Sequence, residues 1–328
     1  MTQYQTDDRR DPAQKPEVSI IMPAYRTAQY IAETLDAVFA QTFSNFELII
    51  VNDGSPDTAE LEAAIAPWRH RMLYVSLAKN GGASVARNVA IRLARGEYLA
   101  LLDGDDIWLP TFLERCMAAL RANPALDVFW TDMTLFGPPA LTGKRIMALH
   151  PPRRPVEFRD ILECKFQPLT SAVLVRKSAV DEIGGFDEES IRAEDFDLYV
   201  RLAWAGKIMD FLDEPLVRRR LHATANSASY TMCQDYVVRV FRKLRALPGM
   251  DTAAVDAQIA KHQAYRDLYE GQNRILAGEG REAVEPLKAA NRYLRSPKLG
   301  LLTLALQIAS PLAMPLAQQW AQRERPTA

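Results

Sequence analysis

Cysteine is scarce in this sequence, with three residues among 328, at Cys116, Cys164 and Cys233. Their number is odd and they lie far apart, so their spacing matches neither a zinc site nor a disulfide framework. Unpaired thiols suit a reducing compartment. We therefore expect a cytoplasmic protein.

An excess of charge of either sign is also lacking. The chain has 40 Lys and Arg against 41 Asp and Glu, which gives a formal net charge of -1. Such a chain has no overall positive field to attract a polyanion, so no nucleic-acid partner is expected. Its composition, 48% hydrophobic and 25% charged residues, is typical of a folded globular protein.

The N-terminal segment lacks the apolar core that a signal peptide needs. Residues 1–16 are mostly polar and of mixed charge. A segment of this composition buries little apolar surface. We therefore predict a disordered N-terminal arm.

From Glu17 onward, short apolar runs alternate with amphipathic helical patterns. Strands that are apolar throughout are typical of a mainly parallel sheet covered by helices on both faces, which predicts an α/β fold of Rossmann-like type. In such sheets ligands bind beyond the carboxyl ends of the strands. The four apolar runs 18–22, 46–51, 73–77 and 98–102 are followed by Pro23-Ala24-Tyr25, Asn52-Asp53-Gly54, Asn80-Gly81-Gly82 and Asp103-Gly104-Asp105.

The acidic cluster Asp103-Gly104-Asp105-Asp106 is the first candidate for chemistry. Three carboxylates at one strand end repel each other, and a divalent cation bound by oxygen ligands would offset that repulsion. In an extended segment Asp103 and Asp105 would point the same way. The alternative is a solvated turn in which Asp106 caps the next segment.

Two further strand ends suit a nucleotide. Asp53 could accept a hydrogen bond from the N3–H of a uracil ring, although Asn, Asp and Gly are also ordinary turn formers. The glycine-rich turn at Asn80–Gly82 opens a helix that carries Arg87, a combination that suits an anionic ligand. The alternative is a glycine hinge with Arg87 on a solvated face. Neither Gly-x-Gly-x-x-Gly nor Gly-Lys-Ser/Thr occurs there, so dinucleotide and P-loop chemistry are not supported.

Asp195 and His222 complete the set of candidates. Asp195 opens a predicted helix over 195–205, where a carboxylate is either rigidly aimed as a general base or serves as the N-cap. His222 follows Arg218-Arg219-Arg220; its imidazole could join a metal site and the arginines could hold phosphate oxygens. The alternative for this segment is a solvated basic strand.

The order of these pieces resembles the family 2 glycosyltransferases, which have the GT-A fold. The resemblance covers about residues 17–227. It is carried by Val18-Ser19-Ile20-Ile21-Met22-Pro23-Ala24-Tyr25, Val51-Asn52-Asp53-Gly54-Ser55, Asn80-Gly81-Gly82 with Ala86-Arg87-Asn88, Leu102-Asp103-Gly104-Asp105-Asp106, Gly185-Phe186-Asp187 and Glu194-Asp195-Phe196-Asp197-Leu198.

The resemblance implies an inverting enzyme that moves a sugar from a nucleotide sugar, a UDP-sugar by expectation, to an acceptor hydroxyl. Asp195 would be the catalytic base, and Asp105 with His222 would bind Mn²⁺ or Mg²⁺. The helix 196–204 does not carry the Gln-x-x-Arg-Trp motif of processive members, which implies transfer of a single sugar. The residues implied to hold the nucleotide are Pro23, Ala24, Tyr25 and Asp53 at the base, Asn80, Gly82 and Arg87 along the pocket, and Asp103 at the ribose.

Two other functions remain open at the level of sequence. A nucleotidyltransferase of related fold would carry a glycine-rich phosphate loop after the first strand, where Pro23-Ala24-Tyr25-Arg26 stands instead. A scaffolding or sugar-nucleotide-binding protein without transfer activity would have no need of a base at Asp195.

The C-terminal part predicts a separate helical region. We place the glycosyltransferase domain at 17–228 and a helical region at 229–328, in which residues 299–322 carry no charged side chain. The segment 298–322 could lie in a membrane interface, pack on the preceding helices or span a bilayer; basic flanks and Trp320 favour the interface. The expected setting is peripheral contact with the inner face of the plasma membrane, with a saccharide or lipid-linked acceptor used in surface glycan assembly.

Overall fold

A computed structural model describes residues 3–137, 142–166, 168–222 and 230–323. The chain divides into two compact units, residues 1–222 and 223–328. The boundary predicted from sequence, between residues 228 and 229, falls at the edge of a stretch that lies outside the described residues.

The N-terminal unit is built on a nine-stranded sheet. The four apolar runs found in the sequence all form strands, within two residues of the expected ends. The strands are β1 (Tyr4–Asp8), β2 (Val18–Ala24), β3 (Phe46–Asn52), β4 (Leu73–Leu77), β5 (Tyr98–Leu101), β6 (Ile107–Trp108), β7 (Val128–Phe136), β8 (Val173–Arg176) and β9 (Met209–Arg220).

Helices of the N-terminal unit connect these strands and flank the sheet. Short 3-10 helices occupy residues 66–71 and 170–172. The α-helices are α1 (Ile31–Phe39), α2 (Thr58–Ile65), α3 (Ala83–Leu93), α4 (Phe112–Ala122), α5 (Ile146–Leu149), α6 (Phe158–Leu162), α7 (Lys177–Glu182) and α8 (Glu194–Trp204).

The sheet is mixed: β2 to β5 form one parallel group, and β7 and β9 form a second parallel pair, from Val128 opposite Met209 to Phe136 opposite Arg220. The strand order is β1-β4-β3-β2-β5-β8-β7-β9-β6. Strands β2, β3, β4 and β5 run parallel, and their side chains are almost entirely buried, as strands covered on both faces must be. Antiparallel pairs join β1 to β4, β5 to β8, β7 to β8 and β6 to β9. The predicted α/β fold is confirmed, with more antiparallel pairing than expected.

The prediction of a disordered arm is wrong for residues 4–8. Strand β1 extends the sheet by antiparallel pairing with β4, from Tyr4 opposite Leu77 to Asp8 opposite Leu73. Next to it, Arg10 donates to Glu47, whose side chain is fully buried, at 2.8 Å. Backbone pairing and a buried ion pair hold a polar segment that hydrophobicity alone would leave unfolded.

The C-terminal unit is helical, as predicted. Its helices α10 and α11 pack together as a hairpin, and α12 packs on both of them. The interior of this unit is a cluster that includes Ile275, Leu287, Leu306 and Ala317. The four helices are α9 (Tyr230–Arg245), α10 (Thr252–Leu276), α11 (Val284–Leu294) and α12 (Pro297–Arg323).

Candidate active site

The carboxyl ends of β2, β3, β4 and β5 share one edge of the sheet because these strands are parallel. The four polar loops of the sequence analysis follow those strands, so they emerge at that edge. The backbone N–H of Asp53 donates to the carbonyl of Ala24 at 3.0 Å, which ties the first two loops together. At the mouth of this edge Tyr25 is 41% exposed, and Pro23 is partly buried.

Asp53 holds the glycine-rich turn after β4. Its Oδ1 accepts the N–H of Gly81 at 2.7 Å, and its Oδ2 accepts the N–H of Gly82 at 2.8 Å and the side-chain amide of Asn80 at 3.0 Å. Burial raises the pKa of Asp53, and the two backbone hydrogen bonds act against that shift. Both carboxylate oxygens therefore have a structural partner, which the sequence did not reveal. A contact between Asp53 and a nucleotide base remains a prediction.

Arg87 links two acidic segments that lie far apart in the sequence. From a buried position on α3 it donates to Asp103 Oδ1 at 2.7 Å and to Glu194 Oε1 at 2.9 Å. Burial alone would lower the pKa of Arg87, but the two carboxylates raise it, so the guanidinium stays charged. The alternative of a solvated Arg87 is wrong. The geometry gives this residue the role of a bridge between the acidic loop and the start of α8.

The side chains of the acidic loop turn to different partners. Asp103 faces Arg87, whereas Asp105 Oδ2 lies 2.8 Å from His222 Nε2. Asp106 is buried and accepts the backbone N–H of Arg220 at 2.9 Å. Burial raises the pKa of Asp105, and burial together with Asp105 raises the pKa of Asp106 to about 8. The expectation that Asp103 and Asp105 point the same way is not met. Residues 103–106 form a turn, in which the N–H of Asp106 donates to the carbonyl of Asp103.

Asp105 and His222 fit a metal site in part. They offer one oxygen and one nitrogen ligand, their side chains are 21% and 18% exposed, and their 2.8 Å separation is close to the ~3 Å expected between adjacent ligands of an octahedral Mg²⁺. Within the described ranges, no group of three His, Cys, Asp or Glu side chains forms a complete site. A cation held here would therefore take further ligands from water or substrate, as Mg²⁺ usually does.

His222 sits in an aromatic and cationic stack. Its ring lies 5.1 Å from that of Tyr30, and the guanidinium of Arg220 lies 4.8 Å above Tyr30. Arg220 also donates through Nε to the carbonyl of Asp105 at 3.0 Å and pairs with Glu33. The alternative of a simple solvated basic strand is therefore wrong for Arg220, which holds the acidic loop through hydrogen bonds.

Asp195 lies in the first turn of α8, but it is not the helix cap. The N-cap residue is Ala193, in a left-handed conformation with φ of 55°, and no side chain caps the helix end. The carboxylate accepts the N–H of Phe196 at 2.7 Å. Burial, and next the charge of Glu194, raise the pKa of Asp195 to about 6. A carboxylate whose pKa lies near the working pH is suited to accept a proton.

One face of α3 holds the loop that precedes Asp195. Asn88 donates to the carbonyl of Phe186 at 2.8 Å and accepts its N–H at 2.9 Å, and the hydroxyl of Ser84 donates to the carbonyl of Ser190 at 3.0 Å. Ser84, Arg87 and Asn88 are spaced as neighbours on one helix face. The roles of Asn88 and Glu194 could not be predicted from the sequence, because their partners Phe186 and Arg87 lie 98 and 107 residues away in the chain.

Gly104 lies against the residues around the start of α1. A Cβ at this position would lie 3.2 Å from the hydroxyl of Thr27, and the carbonyl of Gly104 accepts the hydroxyl of Thr34 at 3.2 Å. The glycine therefore allows the acidic loop to pack closely against the start of α1.

Comparisons with known proteins identify the family of this chain. The Glycosyl transferase family 2 profile matches residues 19–179. An uncharacterized glycosyltransferase of Rickettsia prowazekii is 30% identical over 65% of this chain and 67% of its own length. One of Methanocaldococcus jannaschii is 27% identical over 63% of this chain and 71% of its own. A longer one from Rickettsia bellii is 30% identical, and the match covers 31% of its length.

Solved structures share the fold. Staphylococcus aureus TarS 1-349 in complex with UDP superposes with a TM-score of 0.60 at 19% identity, over 95% of this chain and 93% of TarS. A mannosyltransferase of Pyrobaculum calidifontis in complex with GDP-Man and Mn²⁺ gives 0.57 at 20% identity, over 95% and 89%. Both are GT-A glycosyltransferases, and the fold described above is the same as theirs. The chain is a member of glycosyltransferase family 2 and a transferase enzyme.

Proposed function

We propose that this glycosyltransferase transfers one sugar, with inversion, from a nucleotide sugar to an acceptor hydroxyl, with Asp195 as the base. The proposal is supported mainly by the raised pKa of Asp195 and by the contacts that hold its helix. The pKa of Asp195 is raised to about 6, and its helix is tied through Glu194 and Arg87 to Asp103 of the acidic loop. A proton acceptor and a candidate diphosphate site thus belong to one network.

The attacking group is the acceptor hydroxyl. It gives its proton to Asp195 as its oxygen bonds to the anomeric carbon, while the bond from that carbon to the diphosphate breaks. A single displacement inverts the anomeric centre and requires no enzymic nucleophile. Burial and Glu194, which raise the pKa of Asp195, strengthen the carboxylate as a proton acceptor at neutral pH.

The donor is proposed to lie along the carboxyl edge of the sheet. Pro23, Ala24, Tyr25 and Asp53 would contact the base, and Asn80 and Gly82 would line the pocket. Asp103 would face the ribose, with its orientation fixed by Arg87. A UDP-sugar is the first candidate because TarS binds UDP and UDP-GlcNAc.

Asp105 and His222 are proposed to hold Mn²⁺ or Mg²⁺. A divalent cation bound there would neutralise negative charge on the leaving diphosphate. The protein's contribution is positional, because the carbonyl of Asp105 accepts from Arg220 Nε and the ring of His222 rests on Tyr30.

We further propose that the enzyme adds one sugar at a time to a saccharide or lipid-linked acceptor at the cytoplasmic face of the membrane, in surface glycan assembly. The absence of Gln-x-x-Arg-Trp in residues 196–204 supports single addition. The apolar helix α12 supports the membrane setting.

A screen of nucleotide sugars tests the donor and the metal together. Thermal unfolding of the full chain is followed with UDP-, GDP- and dTDP-sugars, in Mn²⁺ and in excess chelator, alongside release of free sugar. We expect one donor to stabilise the protein and to be hydrolysed slowly, with both effects reduced by chelator and restored by Mn²⁺ or Mg²⁺. Full stabilisation and turnover in excess chelator would refute the metal role, and no effect of any donor would refute the proposal.

A further inference from the structure

Helix α12 has two apolar faces, and only one of them is covered within the C-terminal unit. Residues such as Leu299, Leu306 and Ala317 belong to the interior cluster with α10 and α11. The other face carries five large aliphatic side chains that are 51–83% exposed. We call them the α12 stripe: Leu301, Leu304, Ile308, Leu312 and Leu316.

The α12 stripe lies on both sides of a kink in the helix. Leu301, Leu304 and Ile308 precede Ala309, whose backbone is non-helical with φ of -140° and ψ of 52°, and Leu312 and Leu316 follow it. Within each half the members are three or four residues apart, so they share a face there. Single exposed leucines are common on protein surfaces, but an aligned row is typical of an interaction surface. The two prolines of the helix, Pro311 and Pro315, are also exposed on it.

Within residues 295–323 the charged side chains have one sign, and Glu324 follows directly in the sequence. From residue 295 to residue 323 the sequence has no Asp or Glu, and its basic residues stand at the two ends: Arg295, Lys298 and Arg323. All three are exposed. An apolar band with cations at its borders complements a bilayer whose headgroups are anionic.

A groove between α11 and α12 adds a place for a phosphate group. It has a volume of about 580 Å³ and is lined by Glu285, Lys288, Asn291 and Arg292 of α11 and by Gly300, Thr303, Leu304 and Gln307 of α12. Lys288 also pairs with exposed Glu285 at 3.0 Å. Because Leu304 belongs both to the groove and to the α12 stripe, basic and apolar groups would meet the same surface.

Two other occupants fit less well. Helix α12 is long and apolar enough to cross a membrane, but its inner face is part of the interior cluster, which a spanning helix would have to give up. A second copy of the chain would bring an equally apolar stripe, yet an antiparallel or parallel pairing would place Arg295, Lys298 and Arg323 against one another. Like charges at such borders oppose association.

We propose that the α12 stripe seats the protein on an anionic bilayer surface, with Lys288 and Arg292 of the adjoining groove contacting headgroup phosphates. This inference deepens the membrane setting of the proposed function and names its partner surface. It can be tested without donor or acceptor.

Cosedimentation of the full chain with vesicles provides the test. We expect binding to phosphatidylcholine vesicles that contain phosphatidylglycerol, and at least tenfold weaker partitioning for Ile308→Gln/Leu312→Gln. For Lys288→Gln/Arg292→Gln we expect partitioning onto anionic vesicles to be about thirtyfold weaker, because each basic residue contributes a factor of roughly five. Lys261→Gln/Arg242→Gln, on α10 and α9, is the matched charge control and should lose much less.

Three results would overturn the inference. The first is that Ile308→Gln/Leu312→Gln binds vesicles as well as the wild type does. The second is that the wild type binds neutral and anionic vesicles equally. The third is that the wild type forms a dimer without vesicles in sedimentation velocity, whereas Ile308→Gln/Leu312→Gln is monomeric. Donor-induced thermal stabilisation, measured on the same samples, should be equal in all variants. Loss of membrane binding is thereby separated from a failure of the proposed sugar transfer.

Discussion

At the scale of single residues, the site depends on a few carboxylates whose neighbours decide their chemistry. Asp103 is paired with Arg87, Asp105 with His222, and Asp53 with backbone amides. Asp195 accepts a backbone N–H, and after burial the charge of Glu194 contributes most to its raised pKa. A pKa of about 6 leaves Asp195 deprotonated near neutral pH and able to take a proton, whereas Asp106, with a pKa of about 8, is mostly protonated there.

The pKa of Asp195 predicts how transfer depends on pH. The deprotonated form is the proposed base, so the rate should reach its plateau near neutral pH, be half-maximal at about pH 6 and fall further as pH decreases. Single-turnover rates of the wild type between pH 5 and pH 8 would show this limb. A rate that stays constant across that range, with the chemical step limiting, would contradict the assignment.

Arg87 predicts a large loss of stability on truncation. Arg87→Met leaves Asp103 and Glu194 without their common partner. Breaking a fully buried pair costs about 3 kcal/mol or more. Because the side chains of Glu194 and Asp103 are 15% and 40% exposed, we expect a loss of about 2 kcal/mol. Denaturant unfolding measures the change. Arg115→Met, which removes an ion pair whose two side chains are both at least 40% exposed, is the control and should cost less than about 1 kcal/mol. An equal loss of stability in the two variants would contradict the bridging role of Arg87.

At the scale of elements, α3 connects the proposed nucleotide side of the site to the loop that precedes Asp195. Its Ser84, Arg87 and Asn88 hold residues 186, 190 and 194. The position of Asp195 therefore depends on a helix that begins at the glycine-rich turn. A distortion of the loop should weaken transfer even where Asp195 is intact.

Alanine substitutions at two neighbouring glycines distinguish the effect of backbone strain from the effect of losing the Asn88 contact. Both glycines have positive φ, +80° at Gly184 and +77° at Gly185, but a Cβ at Gly184 meets no atom within 4 Å, whereas one at Gly185 would lie 2.7 Å from Asn88 Oδ1. Both alanine variants should lose about 1 kcal/mol to backbone strain. We expect Gly185→Ala to lose more stability and, in addition, at least tenfold in transfer rate. Equal transfer rates for the two variants would contradict the positioning role of Asn88.

The strands β2 to β5 and the order of the site loops could be predicted from the sequence. Runs such as Ile20–Met22 and Leu48–Val51 are apolar throughout because both faces of the sheet are covered. The structural roles of Asp53 and Arg87 could not be predicted, since their partners lie 28 and 107 residues away. Strand β1 was missed because backbone pairing and the Arg10–Glu47 contact, not hydrophobicity, hold it.

At the scale of the whole molecule, the chain combines a family 2 glycosyltransferase unit with a helical unit that exposes an apolar stripe. The proposed reaction uses residues contributed by β2, β3, β4 and β5, by α8 and by the end of β9. Asp105 and His222 are 117 residues apart in the chain. The proposed metal site and the proposed base are therefore brought together only by folding of the N-terminal unit.

The most direct test of the account is the transfer rate of Asp195→Asn at saturating donor, compared with the wild type. The substitution keeps the shape of the side chain but removes its ability to accept the proton. The account predicts a rate at least about 100-fold lower, with donor affinity by calorimetry nearly unchanged. A variant that turns over at the wild-type rate would contradict the assignment of Asp195 as the base.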